Sequence, residues 1–429
     1  MDTTAPARSC SVTILFRIIN MKKQVRLNTL QKISHYLDIE LPVECSQYEK
    51  TTSEVFNYTK RLLAQLDAPK IHAAVVHVGG TSGKGTVCYM LDAILRAHDQ
   101  RSALIISPHV YDSRERIQLN GQLAPEKLYI KLVNSVLTAA HRMSDVGEKP
   151  SYTGIMAAIS ILGSTQKRVD YIVVEAGLGG PYDVTNVIGD TNSHAILTQV
   201  GPDDQTGTAK DVSEIVKSGS TVTALKQAQS VNTAFEKKAM SVGANINWVE
   251  SHKDYQTDNA VLALRAAQAI AERDGWHFDS EVARIATQTI YIPGRYEKRV
   301  LHDTLVILDG AHNPQNLVAL SHRLKNELHD DLTIVFALSS TKDILRSLEP
   351  LASICRRLII TEFFADQGYI HRPSHSAAII KSAAEQLNFN HVVIEPKSDK
   401  ALSQATKCSK TVLVTGSFYL LSEVDKGFS

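Results

Sequence analysis

A glycine-rich stretch lies between two apolar segments from Val76 to Val87, where the sequence reads VHVGGTSGKGTV. Glycines let backbone N–H groups turn toward the oxygens of a bound phosphate, and the start of the following helix adds partial positive charge. Lys84 can reach the outer phosphates, and Thr86 supplies a hydroxyl group for Mg²⁺. The pattern predicts a variant phosphate-binding loop; the alternative is a glycine-rich turn with a solvated lysine.

Polar side chains follow other predicted strands at the point where each strand ends. Glu175 ends YIVVE and Ser107 ends ALIIS, and the turn DGAHNP carries Asp309, His312 and Asn313. Open α/β sheets collect ligands at such strand ends, and Mg²⁺ prefers oxygen ligands. Two plainer interpretations stay open: Glu175 as a strand-end cap, and His312 as a structural histidine.

Apolar segments of strand length alternate with amphipathic helices, which is typical of a parallel sheet buried between helices. The sequence predicts an α/β fold with an N-terminal P-loop ATPase-like domain and a smaller C-terminal Rossmann-like α/β domain. The predicted strands of the first domain are 73–78, 103–107, 171–175, 195–199 and 245–249. Its predicted helices are 86–98, 125–143 and 258–275.

The segment YIPGRYEK (291–298) interrupts the pattern with Pro-Gly and predicts a joint between domains. We expect an N-terminal extension over 1–20, an ATP-binding domain over 21–296 and a second domain over 297–429. The predicted strands of the second domain are 304–309, 332–338, 357–362, 391–395 and 411–416. Its helices are expected from Pro314 and near 342–352, 373–387 and 398–407.

The composition narrows the class of protein. The chain has 429 residues, of which 43% are hydrophobic, and its 46 Lys and Arg nearly balance its 45 Asp and Glu. This balance gives no argument for nucleic acid as a partner, and no apolar run reaches the length of a membrane span. The five cysteines are scattered without a CxxC pair, so we expect a protein of the reducing cytoplasm.

The motifs together resemble the folylpolyglutamate synthase/dihydrofolate synthase family, within the Mur-ligase group of ATP-dependent amide ligases. The resemblance covers about residues 50–429, and the motifs that carry it are HVGGTSGKGT, SPHVYDSRERIQLNG, VEAGLGGPYDVTNV, PGRYE, DGAHNP and VTGSFYLLSEV. It implies an enzyme that uses ATP and Mg²⁺ to add L-glutamate to the carboxylate of a pteroate or folate through an acyl phosphate. It also implies small-molecule substrates and a monomer.

The resemblance also assigns roles to individual residues. It places Thr86, Ser107 and Glu175 at Mg²⁺, and it places Arg116, which alone would be read as a surface charge, at the amino-acid site together with His312. The residues implied at ATP are Gly80, Thr81, Ser82, Gly83, Lys84, Gly85, Thr86, Arg295, Asp309 and Asn313. The residues implied in catalysis are Lys84, Glu175, Asp204, Lys217 and His312.

The sequence departs from the family pattern near residues 200–224. Asp204 stands where the family has a histidine that binds a second Mg²⁺; a carboxylate suits that ion as well. The segment EIVKSGSTVTA either lacks the family's carbamylated lysine, which we favour, or places Lys217 there. Pro181 and Gly154 replace a family Arg and Glu. The alternatives to an active folate ligase are a degenerate homologue that binds ATP without efficient ligation and an amide ligase with a different acyl substrate.

Overall fold

The computed structural model describes residues 27–46, 51–66, 71–177, 179–188, 193–201, 208–252, 254–328, 332–367 and 370–428. Two sheets, each rich in parallel strands, organise these residues. We call the elements up to residue 289 the N-lobe and those from residue 297 onward the C-lobe. The α/β class predicted from the sequence is confirmed, whereas the domain boundaries remain a prediction.

Eight strands form the N-lobe sheet in the order β4-β3-β2-β5-β1-β6-β7-β8. The strands from β2 to β8 in this order are parallel, and β3 and β4 add an antiparallel edge. The bounds are β1 Ala74–Gly79, β2 Ser102–Ile105, β3 Gln118–Leu119, β4 Gln122–Leu123, β5 Tyr171–Glu175, β6 Ser193–Leu197, β7 Thr221–Leu225 and β8 Asn245–Val249.

Helices cover both faces of this sheet because its strands are apolar on both sides. Val75 faces one core together with Ile172, whereas Val76 and Val173 face the other. The helices are α1 Leu30–His35, a π-helix Tyr36–Glu40, α2 Leu41–Ser46, α3 Thr52–Gln65, α4 Lys84–Ala97, α5 Glu126–Asp145, α6 Tyr152–Ser164, α7 Ala209–Ser213, α8 Gln229–Val242, α9 Tyr255–Asp274 and α10 Ser280–Thr289; the 3₁₀ turns are Ser113–Arg116 and Val184–Ile188.

The C-lobe sheet has the order β15-β12-β11-β16-β10-β9, with β9 antiparallel at the edge and a separate hairpin of β13 and β14. Its strands are β9 Glu297–Leu301, β10 Thr304–Asp309, β11 Leu332–Phe336, β12 Arg357–Ile360, β13 Phe364–Gln367, β14 Ile370–Pro373, β15 Val392–Ile394 and β16 Thr411–Thr415. Its helices are α11 Pro314–Glu327, α12 Ile344–Ala352, α13 Ala377–Gln386, α14 Ser398–Cys408 and α15 Phe418–Asp425, followed by a 3₁₀ turn Lys426–Phe428.

All the strands predicted above are present, and their bounds agree with the prediction to within two residues. The predicted elements do not include strand β7, the short antiparallel strands β3, β4, β9, β13 and β14, or the helices α1, α2, α3, α6, α7, α8, α10 and α15. The predicted extension over residues 1–20 lies outside the described residues. Among the helices described, none combines the length and the apolar character needed to cross a lipid bilayer.

Candidate active site

The glycine loop joins the central strand β1 to helix α4, so its position is set by the middle of the N-lobe sheet. Gly83 precedes the helix with φ 86°, in the left-handed region that favours glycine. A side chain at this position would also collide with the amide of Asn259. The first N–H groups of a helix have no intrahelical acceptor, so the start of α4 presents Lys84, Gly85 and Thr86 to an anion.

The end of β6 holds the loop from the other side. Thr198 Oγ1 donates to Ser82 O at 2.7 Å, and the amides of Thr81 and Ser82 donate to Gln199 O at 2.8 and 3.2 Å. These two amides therefore shape the loop and do not face a phosphate. The buried hydroxyl oxygens of Thr81 and Ser82 have no hydrogen-bond partner among the described residues, which suits a loop that meets a polar ligand.

The carboxylate of Glu175 lies beside the start of α4. Its Oε2 accepts a hydrogen bond from Ser107 N at 3.0 Å, and only 5% of the residue is exposed. The same oxygen lies 3.3 Å from where a side chain on Gly85 would begin. Lys84 Nζ donates to Gly80 O at 2.8 Å and so lies across the loop. The structure thus brings together the predicted loop, Glu175 and Ser107.

These residues fit a magnesium ion that a nucleotide carries with it. Mg²⁺ in nucleotide sites takes one or two protein oxygens and fills its other positions with phosphate oxygens and water. The buried Glu175 carboxylate and the hydroxyls of Thr86 and Ser107 are oxygen donors of this kind. No group of three or more His, Cys, Asp or Glu among the described residues forms a metal cage on its own. The donor set is therefore one that needs the phosphates to complete it.

Arg295 belongs to the linker between the lobes (residues 290–296) and lies against the phosphate loop. Its Nη2 lies 2.7 Å from where a Cβ on Gly85 would stand, so a side chain at this position would displace the guanidinium. Its guanidinium lies over the ring of Phe418, 5.0 Å from the centroid, and the edge of the same ring meets His312 at 5.9 Å. Phe418 opens helix α15 of the C-lobe. Arg295 therefore carries positive charge from the linker toward the phosphate loop.

The DGAHNP turn is organised by its own polar groups. Asp309 accepts hydrogen bonds from Tyr296 N through Oδ2 and from Ala311 N through Oδ1, both at 2.8 Å. Burial raises the pKa of this carboxyl group. His312 Nδ1 lies 2.8 Å from Gly310 O, so Nδ1 is the donor and carries the proton. Asn313 Oδ1 caps helix α11 by accepting from the amide at position 316 at 2.8 Å, which gives this residue a structural task besides the predicted one.

A cavity of about 430 Å³ lies between the two lobes at this place. The phosphate loop, the start of α9, the linker and the DGAHNP turn form its walls. Sequence reasoning identified the loop and the turn but missed other wall residues, because a lone polar residue on an amphipathic helix gives no motif. The missed residues include Gln256, Asn259, Asn316, Arg323 and Phe418; the motif VTGSFYLLSEV contains the last of these.

Two predicted residues lie away from this cavity. Arg116 is 8% exposed, and its Nε donates to His109 Nδ1 at 2.9 Å. Lys217 Nζ donates to Glu214 O at 3.0 Å. Neither side chain lines the cavity; Lys84, Ser107 and Glu175 are not lining residues either, but they lie at or beside the phosphate loop. Asp204, the remaining predicted residue of the reaction centre, lies outside the described residues.

His77 in strand β1 lies close enough to Lys217 for the lysine charge to affect its pKa. His77 Nε2 lies 2.7 Å from Thr185 Oγ1, whose hydroxyl donates to Asp183 Oδ1 at 2.5 Å. Burial lowers the pKa of His77 to about 4; the charge of Asp183 opposes this shift, and the charge of Lys217 contributes to it. Lys217 is therefore electrostatically coupled to the buried strand β1, and its assignment as the family's carbamylated lysine stays a prediction.

Comparison with known proteins identifies relatives for almost the whole chain. A sequence profile described as "Dihydrofolate synthetase, C-terminal domain" matches residues 293–426. The dihydrofolate synthase/folylpolyglutamate synthase of Bacillus subtilis is 24% identical over 410 residues, which cover 86% of this chain and 93% of that protein.

Solved structures share the fold described above. Mycobacterium tuberculosis folylpolyglutamate synthase complexed with ADP superposes with a TM-score of 0.80 at 21% identity, over 93% of this chain and 98% of that one. E. coli FolC in complex with DHPP and ADP superposes with a TM-score of 0.75 at 22% identity, over 94% and 98%. Together with the sequence relatives, these findings show that the chain is similar over most of its length to proteins of the folylpolyglutamate synthase/dihydrofolate synthase family.

Proposed function

We propose that this protein is an ATP-dependent ligase that joins L-glutamate to the carboxylate of a pteroate or folate. The observation that carries the proposal is the cavity between the lobes, which is lined by the phosphate loop, Arg295 and the DGAHNP turn, with Glu175 close to the loop at Gly85. The relatives from Bacillus subtilis and Mycobacterium tuberculosis bear the names of such enzymes. A two-step amide synthesis requires that the groups binding the nucleotide, here the phosphate loop, lie close to the groups that meet the incoming amine, here the DGAHNP turn.

The first step transfers a phosphoryl group. The helix start at Lys84–Thr86 and the Lys84 ammonium gather the triphosphate, and Arg295 approaches it from the linker. Glu175, Thr86 and Ser107 would hold the Mg²⁺ that accompanies the nucleotide, which would neutralise further charge on the phosphates. The substrate carboxylate then attacks the γ-phosphorus, the bond to ADP breaks, and an acyl phosphate forms.

The second step forms the amide bond. The amine of glutamate attacks the acyl carbon, and the carbon–oxygen bond to phosphate breaks, so that phosphate leaves with one oxygen of the original carboxylate. We propose that His312 accepts the amine proton at Nε2, because its Nδ1 already donates to Gly310 O. Asp309 holds the turn in place through two backbone amides.

The proposal also covers residues and properties beyond the cavity. Arg116, buried beside His109, is proposed to bind a carboxylate of the substrate, since an arginine in such a place suits a planar anion. Asp204 and Lys217 are proposed to replace the second-metal groups of the family. We further propose a cytoplasmic monomer of 47.1 kDa, a mass that light scattering on the purified chain tests directly.

A phosphate-release assay tests the function. The purified chain is incubated with ATP, Mg²⁺, L-glutamate and either dihydropteroate or tetrahydrofolate, and each component is omitted in turn. We expect release that requires both the amino acid and one pterin. Lys84→Ala removes the lysine of the loop and should abolish turnover. Lys226→Ala is the matched control, because this lysine is half exposed and forms a surface ion pair with Glu250.

The assay also separates the proposal from its alternatives. ATP binding without release under any combination would support a homologue that no longer ligates. Release that requires glutamate but neither pterin would point to a different acyl substrate. Equal turnover of Lys84→Ala and Lys226→Ala would remove the phosphate loop from the reaction.

A further inference from the structure

A buried carboxylate lies at the junction of the two lobes. The side chain of Glu297 is fully buried, and its oxygens accept hydrogen bonds from Tyr111 OH at 2.8 Å, Tyr291 OH at 2.8 Å and Gly294 N at 2.7 Å. Arg299 forms an ion pair with the same carboxylate. A buried charge is tolerated only when it is paired and hydrogen-bonded, so each of these donors is needed.

Only one of these four donors comes from outside the linker and the strand that follows it. Tyr291, Gly294 and Arg299 lie within six residues of Glu297, whereas Tyr111 belongs to the loop after strand β2. Burial and the nearby Glu297 charge raise the pKa of the Tyr111 hydroxyl, which therefore remains a donor. The Tyr111–Glu297 hydrogen bond thus joins the N-lobe to the first strand of the C-lobe.

The loop that carries Tyr111 is held as one unit. Glu115 is 4% exposed and accepts hydrogen bonds from the amides of Val110, Tyr111 and Asp112 at 2.8 to 2.9 Å. Three backbone bonds to one buried carboxylate fix the loop's shape. A shift of Tyr111 must therefore move the backbone of residues 110–112 with it, and this segment continues directly from Ser107.

Both ends of this loop touch parts of the candidate active site. At one end, Ser107 N donates to Glu175. At the other end, Val110 packs in the apolar core of the C-lobe, against Leu421 and the backbone at Gly294. The loop therefore connects Glu175, the carboxylate proposed at the metal ion, to the C-lobe, which carries the DGAHNP turn.

The linker makes the second connection. Gly294 N is bound to Glu297, and the next residue is Arg295, whose guanidinium lies against Gly85. Arg299, on the far side of Glu297, lies over the ring of Tyr111 at 4.6 Å and forms an ion pair with Asp425 of the last helix. Glu297 is thus the common acceptor for groups that determine where Arg295 and the C-lobe lie.

We propose that Tyr111 is a positioning residue for the ligase reaction. Its hydrogen bond to Glu297 fixes the position of Ser107 relative to Arg295 on the other side of the cleft. This inference rests on the proposed function. Tyr111 touches no reacting atom in this account, and its effect passes through the loop at one end and the linker at the other. Loss of the bond should harm the chemical step more than the binding of ATP.

The test compares Tyr111→Phe with Tyr291→Phe in the full-length chain. Each substitution removes one hydroxyl bond of 2.8 Å to the same carboxylate and keeps the aromatic ring. The two variants differ in one respect, since only the Tyr111 bond joins the lobes. For Tyr111→Phe we expect kcat to fall about tenfold with the KM for ATP within about twofold, and for Tyr291→Phe a smaller fall in kcat.

Hydrogen–deuterium exchange gives a readout that needs no turnover. In Tyr111→Phe, we expect faster exchange both in the peptide covering 105–112 and in the peptide covering 292–297. In Tyr291→Phe, only the second peptide should exchange faster. Equal exchange patterns in the two variants, or an equal fall in kcat, would overturn the proposal. If the wild-type chain shows no ligase turnover, the proposed function fails, and the exchange experiment still decides whether Tyr111 couples the lobes.

Discussion

Gly85→Ala should make the protein slightly more stable and much less active. Gly85 lies in the first turn of α4 with an ordinary helical backbone, so alanine fits its conformation. Replacing glycine by alanine at a compatible position stabilises a protein by about 0.4–1 kcal/mol, which corresponds to about 1–2 °C in Tm for a large domain. The new methyl group, however, points at Arg295 and Glu175.

The geometry sets the size of the loss in activity. A Cβ at Gly85 would stand 2.7 Å from Arg295 Nη2, whereas ordinary contacts begin at 3.4 Å, so the guanidinium must move by about 0.7 Å or more. The atom lies at the end of a flexible side chain, and so the fold tolerates the shift. A misplacement of about 1 Å in a charge-stabilising group costs about 100-fold in rate, and we expect a fall in kcat of that order.

Thermal unfolding and steady-state phosphate release measure the two effects. The control is a double-mutant cycle with Arg295→Ala, which removes the guanidinium that the methyl group displaces. In that background, Gly85→Ala should add little further loss. Wild-type kcat in the single variant, or a full additional loss in the Arg295→Ala background, would refute the reasoning.

Further predictions concern the nucleotide site and the response to pH. Lys84→Ala should abolish turnover while its surface control Lys226→Ala stays at the wild-type rate; equal rates would contradict the loop assignment. Glu175→Gln should weaken the binding of Mg²⁺, so that a titration of activity with Mg²⁺ shifts to higher concentration. An unchanged curve would remove Glu175 from the metal site. Asp204→Ala should lower kcat more than ATP affinity, measured by calorimetry and kinetics; an unchanged kcat would remove it from catalysis. Burial lowers the pKa of His194 to about 3, below its value in the unfolded chain, so the unfolding free energy should fall as pH drops from about 6.5 toward 3, by up to about 1.4 kcal/mol per pH unit. Denaturant titrations at several pH values should show a smaller slope for His194→Gln, and an equal slope would refute the assignment.

Local pattern was sufficient to predict most of the architecture. The strands at 171–175, 245–249 and 304–309 have the bounds predicted for them, because buried parallel strands form short continuous apolar runs. Helix α11 begins at Pro314 as predicted, since proline suits the first turn and Asn313 caps it. The short strand β9 was missed because it begins inside the linker motif.

The details of the site depend on contacts between distant parts of the chain. The Tyr111–Glu297 bond joins residues 186 positions apart, and no local spacing predicts it. Thr81 and Ser82 were predicted to lie at ATP; the structure adds that their amides donate to Gln199 O, which the pairing of β6 with β1 brings near. Asn259 lies on an amphipathic helix, where its approach to Gly83 follows from helix packing alone.

Isotope transfer tests the central claim most directly. The acceptor pteroate or folate is prepared with ¹⁸O in the carboxylate that is to be ligated, and the phosphate released during turnover with ATP, Mg²⁺ and L-glutamate is analysed by mass spectrometry. The account predicts one ¹⁸O atom in each phosphate, because the carboxylate attacks phosphorus and its oxygen leaves with the phosphate. Phosphate that carries only unlabelled oxygen would show that no acyl phosphate forms in the cleft between the lobes.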